Sequence, residues 1–287
     1  MANTNWSTGV ELKDRTTRSR PAIANSNGVL CMAWREMGKA TIWVSTSSDD
    51  GATWPSKKEL TDRNSPNGPA LGVLNGKFIM VWRGSDTNTI FVSDSADGAI
   101  WSAPKELTDR TTGSAPAIGV TGNLAVMAWK GMDQDNIWVS TSSDGLNWSA
   151  PQQLEDRTTG TGPSVCAATG KYLMAWLGVD VGDIWVSMSD DGINWTVPKE
   201  LTDRISNDSP GIAYSDKLKI WYMAWGDSDD ANIWVSTSAD GLDWTAQVML
   251  EDRSTRIGPG LSPSGNTLYM VWRGTGKNTI RTSRLVS

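Results

Sequence analysis

The chain has 287 residues, 38% of them hydrophobic and 20% charged, with a net charge of −6 and no histidine. Without imidazole, Ser–His and Cys–His catalysis and histidine-based metal sites are excluded. The acidic balance, with no run of Lys and Arg, argues against nucleic acid or an anionic membrane as partner, and no apolar stretch reaches transmembrane length.

In chain order, the first element is Asn5-Trp6-Ser7-Thr8-Gly9-Val10-Glu11-Leu12. It matches Asn147-Trp148-Ser149-Ala150-Pro151-Gln152-Gln153-Leu154 in mid-chain and reads as a lone outer strand. The opening Met1 to Trp6 lacks the basic start and apolar run of a secretory leader. The expectation is a cytoplasmic protein, or one released without a signal peptide.

Asp-Arg then recurs at Asp14-Arg15, Asp62-Arg63, Asp109-Arg110, Asp156-Arg157, Asp203-Arg204 and Asp252-Arg253. The arginine-to-arginine steps are 48, 47, 47, 47 and 49 residues. A period of roughly 40 to 50 residues is the mark of a propeller or solenoid. The two cysteines, Cys31 and Cys166, fall in repeats one and four, across any ring from each other, and are predicted to be free thiols.

Repeat three shows the unit. Ala115-Pro116-Ala117-Ile118-Gly119-Val120 and Leu124-Ala125-Val126-Met127-Ala128-Trp129 are apolar runs separated by Thr121-Gly122-Asn123. Asn136-Ile137-Trp138-Val139-Ser140-Thr141 is a third strand, and a fourth is expected to begin at Asn147-Trp148-Ser149-Ala150. Short strands at even spacing between Gly/Asn/Asp turns signal an all-β fold, and no segment keeps a helical period. The second run is apolar on both faces, as a strand buried between neighbours must be.

The C-terminal copy, Pro259 to Ser287, holds only three strands. The N-terminal strand supplies its fourth, which leaves no open edge. The prediction is an all-β, six-bladed β-propeller over residues 1–287 as one domain. Each blade has four antiparallel strands, and the closure is one-plus-three.

The turns before strand four read Ser47-Ser48-Asp49-Asp50-Gly51-Ala52-Thr53-Trp54, Ser95-Ala96-Asp97-Gly98-Ala99-Ile100-Trp101, Ser142-Ser143-Asp144-Gly145-Leu146-Asn147-Trp148, Ser189-Asp190-Asp191-Gly192-Ile193-Asn194-Trp195 and Ser238-Ala239-Asp240-Gly241-Leu242-Asp243-Trp244. They resemble the Asp-box of sialidase-type propellers, mostly one residue shorter. Their role is architectural: Asp caps turn amides, Gly takes a positive φ and Trp tucks under the hairpin.

The resemblance to sialidases, themselves six-bladed, implies a triad of arginines on a substrate carboxylate, a Tyr–Glu nucleophile and an acidic Asp. The family's first arginine stands two residues before a proline. Here that position before Pro21 is Ser19, flanked by Arg18 and Arg20 out of register. Only Tyr172, Tyr214, Tyr222 and Tyr269 are available as nucleophiles, and none has a Glu partner nearby in sequence. Repeated residues in place of one asymmetric site point away from catalysis, so the chain is expected not to be an enzyme.

The linkers after strand four and the loops after strand two should share one face. There the repeat gathers Asp-Arg, two Trp and loop acids at each blade junction. An indole face with Arg and Asp beside it suits a sugar, in the manner of propeller lectins whose ligands sit between blades. The candidate carbohydrate-binding residues are Trp43, Trp138, Trp185 and Trp234 of strand three, Trp34, Trp82, Trp129, Trp176, Trp225 and Trp272 of strand two, Arg15, Arg63, Arg110, Arg157, Arg204 and Arg253, and the loop acids Asp86, Asp133, Asp180 and Asp229. The strand-two Trp are equally suited to inter-blade core, and the Asp-Arg pairs to linker salt bridges. Phe91 and Arg281 replace the strand-three Trp in blades two and six, so six identical sites are not expected.

The leading expectation is a multivalent lectin for glycans, its weak sites reinforced by roughly two to four orders of magnitude on a glycan surface. The alternatives are a sialidase-like glycoside hydrolase and a protein-binding scaffold. No cofactor is implied. The acids of Asp133-Gln134-Asp135 and Asp227-Ser228-Asp229-Asp230 lack calcium-loop spacing and read as solvated turns.

Overall fold

The computed structural model describes residues 5–179, 182–264 and 267–286. The strands form six four-stranded antiparallel sheets. Each innermost strand touches those of the two neighbouring sheets, and the last touches the first, so the sheets are blades around an axis. Blade one comprises Ala22–Ser26, Val29–Arg35, Thr41–Ser47 and Lys58–Asn64, from the axis outward. Blades two to five repeat it over 70–111, 117–158, 164–205 and 211–254. Blade six takes Gly260–Ser264, Thr267–Arg273 and Thr279–Arg284 from the C-terminus and its outer strand, Val10–Thr16, from the N-terminus. Val10 pairs with Thr282 and Leu12 with Ile280, which is the one-plus-three closure.

Strand two is buried on both faces because a blade has two neighbours. Ala125, Met127 and Trp129 pack towards blade two, while Val126 and Ala128 pack towards blade four. Cys31 and Cys166 lie in opposite blades as free thiols, and burial raises the Cys166 thiol to about 12.

The fourth strand begins later than its sequence suggests, at Gln152 rather than Asn147. Trp148 is held back under the preceding turn, where its Nε1 donates to the Gly145 carbonyl at 3.1 Å. Asp144 Oδ1 accepts from the amides of Leu146 and Asn147 at 2.9 and 2.7 Å. Gly145 has φ 79°, and a Cβ there would stand 2.5 Å from Ile79 Cδ1 of blade two. The turn thus needs glycine for its conformation and for contact with the next blade.

The Asp-Arg pairs therefore end strand four instead of sitting in a free linker. Ile137 pairs with Leu154 but Asn136 with Thr158, so Glu155, Asp156 and Arg157 bulge out of the ladder. The same register shift recurs in all six blades. A bulge re-aims a side chain, and here it turns Arg157 into blade four. Its Nη1 donates to Ser187 Oγ at 3.0 Å and its Nη2 to the Thr196 carbonyl at 3.3 Å. The guanidinium lies 5.7 Å from the Trp176 ring centroid, a cation–π distance. Asp156 accepts from Nε at 2.8 Å, and this bond holds the Asp156 carboxyl below its usual range. Arg15, Arg63, Arg110, Arg204 and Arg253 reach Ser45, Ser93, Ser140, Ser236 and Ser283 of the following blade in the same way.

Two outcomes are expected. Arg157→Ala removes the buried guanidinium's hydrogen bonds to Ser187 and Thr196 and leaves the half-exposed Asp156 to water, and should cost about 2 kcal/mol in urea unfolding; Arg157→Lys should recover little of it, because one ammonium cannot replace a planar fork. For Asp144, hydrogen bonds from the Asn147 amide and side chain depress the carboxyl from 3.8 to about 2. A depressed acid stabilises the fold above its unfolded pKa and loses that contribution as pH falls through the folded one. Asp144→Asn should flatten the acid limb of stability between about pH 4 and pH 2, as measured by thermal melts across that range.

Candidate functional site

The predicted junction clusters are brought together, but most of each is closed. Trp34, Trp82, Trp129, Trp176, Trp225 and Trp272 are 0–2% exposed. They are inter-blade core and cannot floor an open pocket. Arg15, Arg63, Arg110, Arg157, Arg204 and Arg253 are 2–6% exposed and turn their Nη groups to partners within the protein. Burial favours the core and salt-bridge roles for both sets, and in blades two to six the bulge points the guanidinium inward onto the strand-two indole.

Trp43, Trp138, Trp185 and Trp234 are half-buried at the rim. Trp43, Trp138 and Trp185 stack on the strand-two indoles with centroids 6.4–6.5 Å apart, opposite Glu59, Gln153 and Glu200 of strand four. Lys39 and Lys57 place their Nζ atoms 5.8 and 5.4 Å from the Trp43 centroid. The loop acids Asp86, Asp133 and Asp229 are exposed at the loop tips, whereas Asp180 lies outside the described residues. Asp135 pairs with Lys130 at 2.8 Å, and among the described residues no three acidic or cysteine side chains converge to hold a metal.

The linkers and the strand-two-to-three loops do share a face, tied by backbone bridges Thr17–Glu36, Thr112–Gly131 and Ser206–Asp227. At its centre opens an axial channel of about 570 Å³, walled by the innermost strands. Six linkers ring its mouth, each ending in proline: Pro21, Pro69, Pro116, Pro163, Pro210 and Pro259. The residues just before these prolines are Arg20, Gly68, Ala115, Gly162, Ser209 and Gly258. A Cβ on Gly68, Gly162 or Gly258 would stand 2.3, 2.3 or 2.1 Å from the carbonyl of the linker before it, so alternate linkers are glycine because the ring is that tight.

Repetition fails at this mouth. Arg18, Arg20, Asp208 and Arg256 line it where the other linkers carry uncharged residues, among them Pro66, Asn67, Gly113, Ser114, Gly160, Thr161, Asn207 and Ile257. Arg20 reaches from blade one across the axis, donating to Ser164 Oγ of blade four and to the Ser209 carbonyl before blade five, both at 2.9 Å. Asp208 stands 3.8 Å from Arg20, each about one-quarter exposed. Its two oxygens accept from the Ser209 and Gly258 amides at 2.9 and 3.0 Å, which fixes the carboxylate at the rim. Asp208 is the one carboxylate among the described residues that line the channel. Arg18 and Arg256 are exposed and make no ion pair among the described residues. Behind them, burial and then the charge of Arg18 lower the pKa of both Arg35 and Arg273.

Sequence reading named Arg18 and Arg20 only as misplaced and passed over Asp208 and Arg256. Stacking the six linkers on their prolines would have shown all four as the charged positions among otherwise uncharged ones. The tyrosines lie elsewhere: Tyr172 donates to the Leu124 carbonyl, Tyr269 to that of Asp50, Tyr222 is buried and Tyr214 packs edge-on to Trp221. None lines the channel among the described residues.

No protein-family model and no curated protein sequence matches this chain. Solved structures do match it. A Hadza microbial sialidase superposes with a TM-score of 0.70 at 16% identity, covering 92% of this chain and 65% of that one. An α-L-arabinofuranosidase from Fusarium graminearum gives 0.69 at 16% identity, over 98% of both chains. The sialidase of Trypanosoma rangeli gives 0.62 at 15%, over 100% of this chain and 58% of that one. The chain thus spans less than two-thirds of either sialidase. At such identities the likeness establishes the fold.

The expectation that the chain is not an enzyme is overturned. Solved structures that share its ring include sialidases and an arabinofuranosidase, which are enzymes. The ground for that expectation, that repeated residues leave no asymmetric site, also fails at the mouth.

Proposed function

We propose that this chain acts on glycosides at the axial mouth and accepts a sugar that carries a carboxylate, as a sialidase-like glycoside hydrolase would. One observation carries the reading: the charged residues that line the axial channel are three arginines and one aspartate, all at its mouth and none shared by the whole ring of linkers. Arginine matches a carboxylate with paired donors. Arg18 and Arg256 are free to do so, while Arg20, its guanidinium fixed by Ser164 and the Ser209 carbonyl, adds positive charge beside Asp208. Asp208 is placed to exchange a proton with, or stabilise positive charge at, the bond being broken. With no tyrosine and one carboxylate at the mouth, the simplest balanced step has a water attack the anomeric carbon and give its proton to Asp208 while the departing oxygen takes a proton from solvent water.

A second reading, a lectin with sugar sites at the blade junctions, is favoured by the half-exposed Trp43, Trp138 and Trp185 beside polar strand-four side chains. It now rests on those rims alone.

A panel of fluorogenic sialosides, uronides and arabinofuranosides tests the first reading, paired with calorimetric titration of the free acidic sugars. Turnover should fall by about a hundredfold or more in Asp208→Asn, and acidic-sugar binding should weaken by about tenfold or more in Arg20→Ala. Absence of both turnover and acidic-sugar binding, with glycan capture lost in Trp138→Ala and Trp185→Ala instead, would replace it with the lectin.

A further inference from the structure

We propose that the loop face of blades six and one is a docking surface for a chain of acidic sugars, which enters the mouth at one end and runs outward between the two blades. The inference rests on the reading of the mouth just given and names its ligand as an anionic oligosaccharide, not a single sugar.

The face is polarised. In the strand-two-to-three loops, blades one and six carry Lys39 and Lys277, both exposed. The corresponding loops of blades two, three and five carry Asp86, Asp133, Asp135, Asp227, Asp229 and Asp230. Inward from the two lysines stand Arg35 and Arg273 at the ends of strand two, then Arg18 and Arg256 at the mouth. A protein of net charge −6 therefore presents one basic sector, continuous from the axis to the rim.

The sector also holds three carboxylates, which keep their charge: Glu59 pairs with Lys39 at 3.4 Å, Glu11 with Arg281 at 3.8 Å, and Glu36 accepts from Trp34 Nε1 at 2.9 Å, so the excess of cations rests on Arg18, Arg35, Arg256, Arg273 and Lys277. Arg18 meanwhile sits against both other arginines: its amide donates to the Arg35 carbonyl and its carbonyl accepts from Arg273 Nη1 at 3.2 Å. Crowding like charges on a fold raises its energy unless an anion joins them.

Donors are also left over. Arg35 Nη1 and Ser19 Oγ are buried and have no hydrogen-bond partner among the described residues. They are two of ten such atoms among the described residues, and both lie beside the basic path. Two interstrand spacings separate strand one from strand three, about 10 Å, which exceeds the span of one pyranose. Trp43, under Lys39, offers an aromatic face at the outer end. A short acidic glycan fits this sector better than a nucleic acid, whose long uniform charge would continue onto the acidic blades.

Calorimetry with galacturonic acid, its hexamer, a sulfated neutral hexasaccharide, the unsulfated hexasaccharide and a six-phosphate single-stranded oligonucleotide tests this directly. The uronate hexamer should bind about tenfold or more tighter than the monomer at about 50 mM salt, with most of that gain lost at about 300 mM. The sulfated arm decides whether carboxylate is required or any acidic group suffices. The neutral hexasaccharide should not bind measurably. The double variant Lys39→Glu/Lys277→Glu changes only exposed loop residues and should abolish the hexamer's advantage without changing monomer affinity. Lys217→Glu, exposed in the turn between the first two strands of blade five, should change neither.

Equal affinities for monomer and hexamer would overturn the docking surface and leave the mouth standing. A hexamer advantage that persists in the double variant would do the same, as would an oligonucleotide that binds as tightly as the uronate. Hexamer binding that needs Lys39 and Lys277 but ignores Arg20→Ala would remove the mouth and keep the surface. No binding by any acidic sugar removes both.

Discussion

The wheel depends on one contact made six times: an arginine thrown out of the outer strand of one blade and bonded inside the next. Each guanidinium gives donors to a strand-three serine and to a backbone carbonyl beyond it. In blades two to six it also lies 5.5–5.9 Å from the centroid of a buried indole. Its charge is balanced by the neighbouring aspartate, whose side chain stays about half exposed. Hydrophobic packing between blades is tight but not directional. The arginine adds direction, because its planar fork accepts one orientation of the neighbouring sheet. The closing blade uses it too: Arg253 bonds the Ser7 carbonyl near the N-terminus, so the chain ends are fastened by the clamp that joins every other pair.

This contact explains which parts of the molecule could be read from the residues alone. The period, the doubly apolar second strand and the orphan strand at the N-terminus together determine the six-bladed ring and its closure, since each states a local requirement that one architecture meets. The start of strand four could not be read, because Asn147-Trp148-Ser149 is as compatible with a strand as with the turn that captures Trp148. The Asp-Arg pairs were legible as salt bridges, but their place at a bulged strand end was not, for a related reason. A linker and a bulged strand end look alike in sequence, yet the first would present Arg157 to solvent and the second buries it at 5% exposure. The strand-two tryptophans followed the arginines, being the surfaces on which those side chains lie.

The candidate site was hidden by the habit of reading repeats for what they share. Shared residues build the wheel; the departures are where the wheel differs from a purely structural ring. Arg18, Arg20, Asp208 and Arg256 are far apart in sequence and belong to three linkers, so no local pattern marks them. Only the ring brings them to one mouth, and only alignment on the linker prolines shows that uncharged residues occupy the other linkers at these positions. The basic sector of blades six and one is hidden likewise. Its cations run from residue 18 to residue 277 without forming a cluster anywhere along the chain.

The account therefore turns on whether a ligand seeks the axis or the rims. A crystal soaked with an acidic monosaccharide at high concentration answers this. Density for the sugar at the channel mouth, its carboxylate against Arg18, Arg20 or Arg256 and its ring beside Asp208, is the expected result. Sugars seated on the rim indoles of Trp43, Trp138 and Trp185, with the mouth holding only solvent, would contradict it.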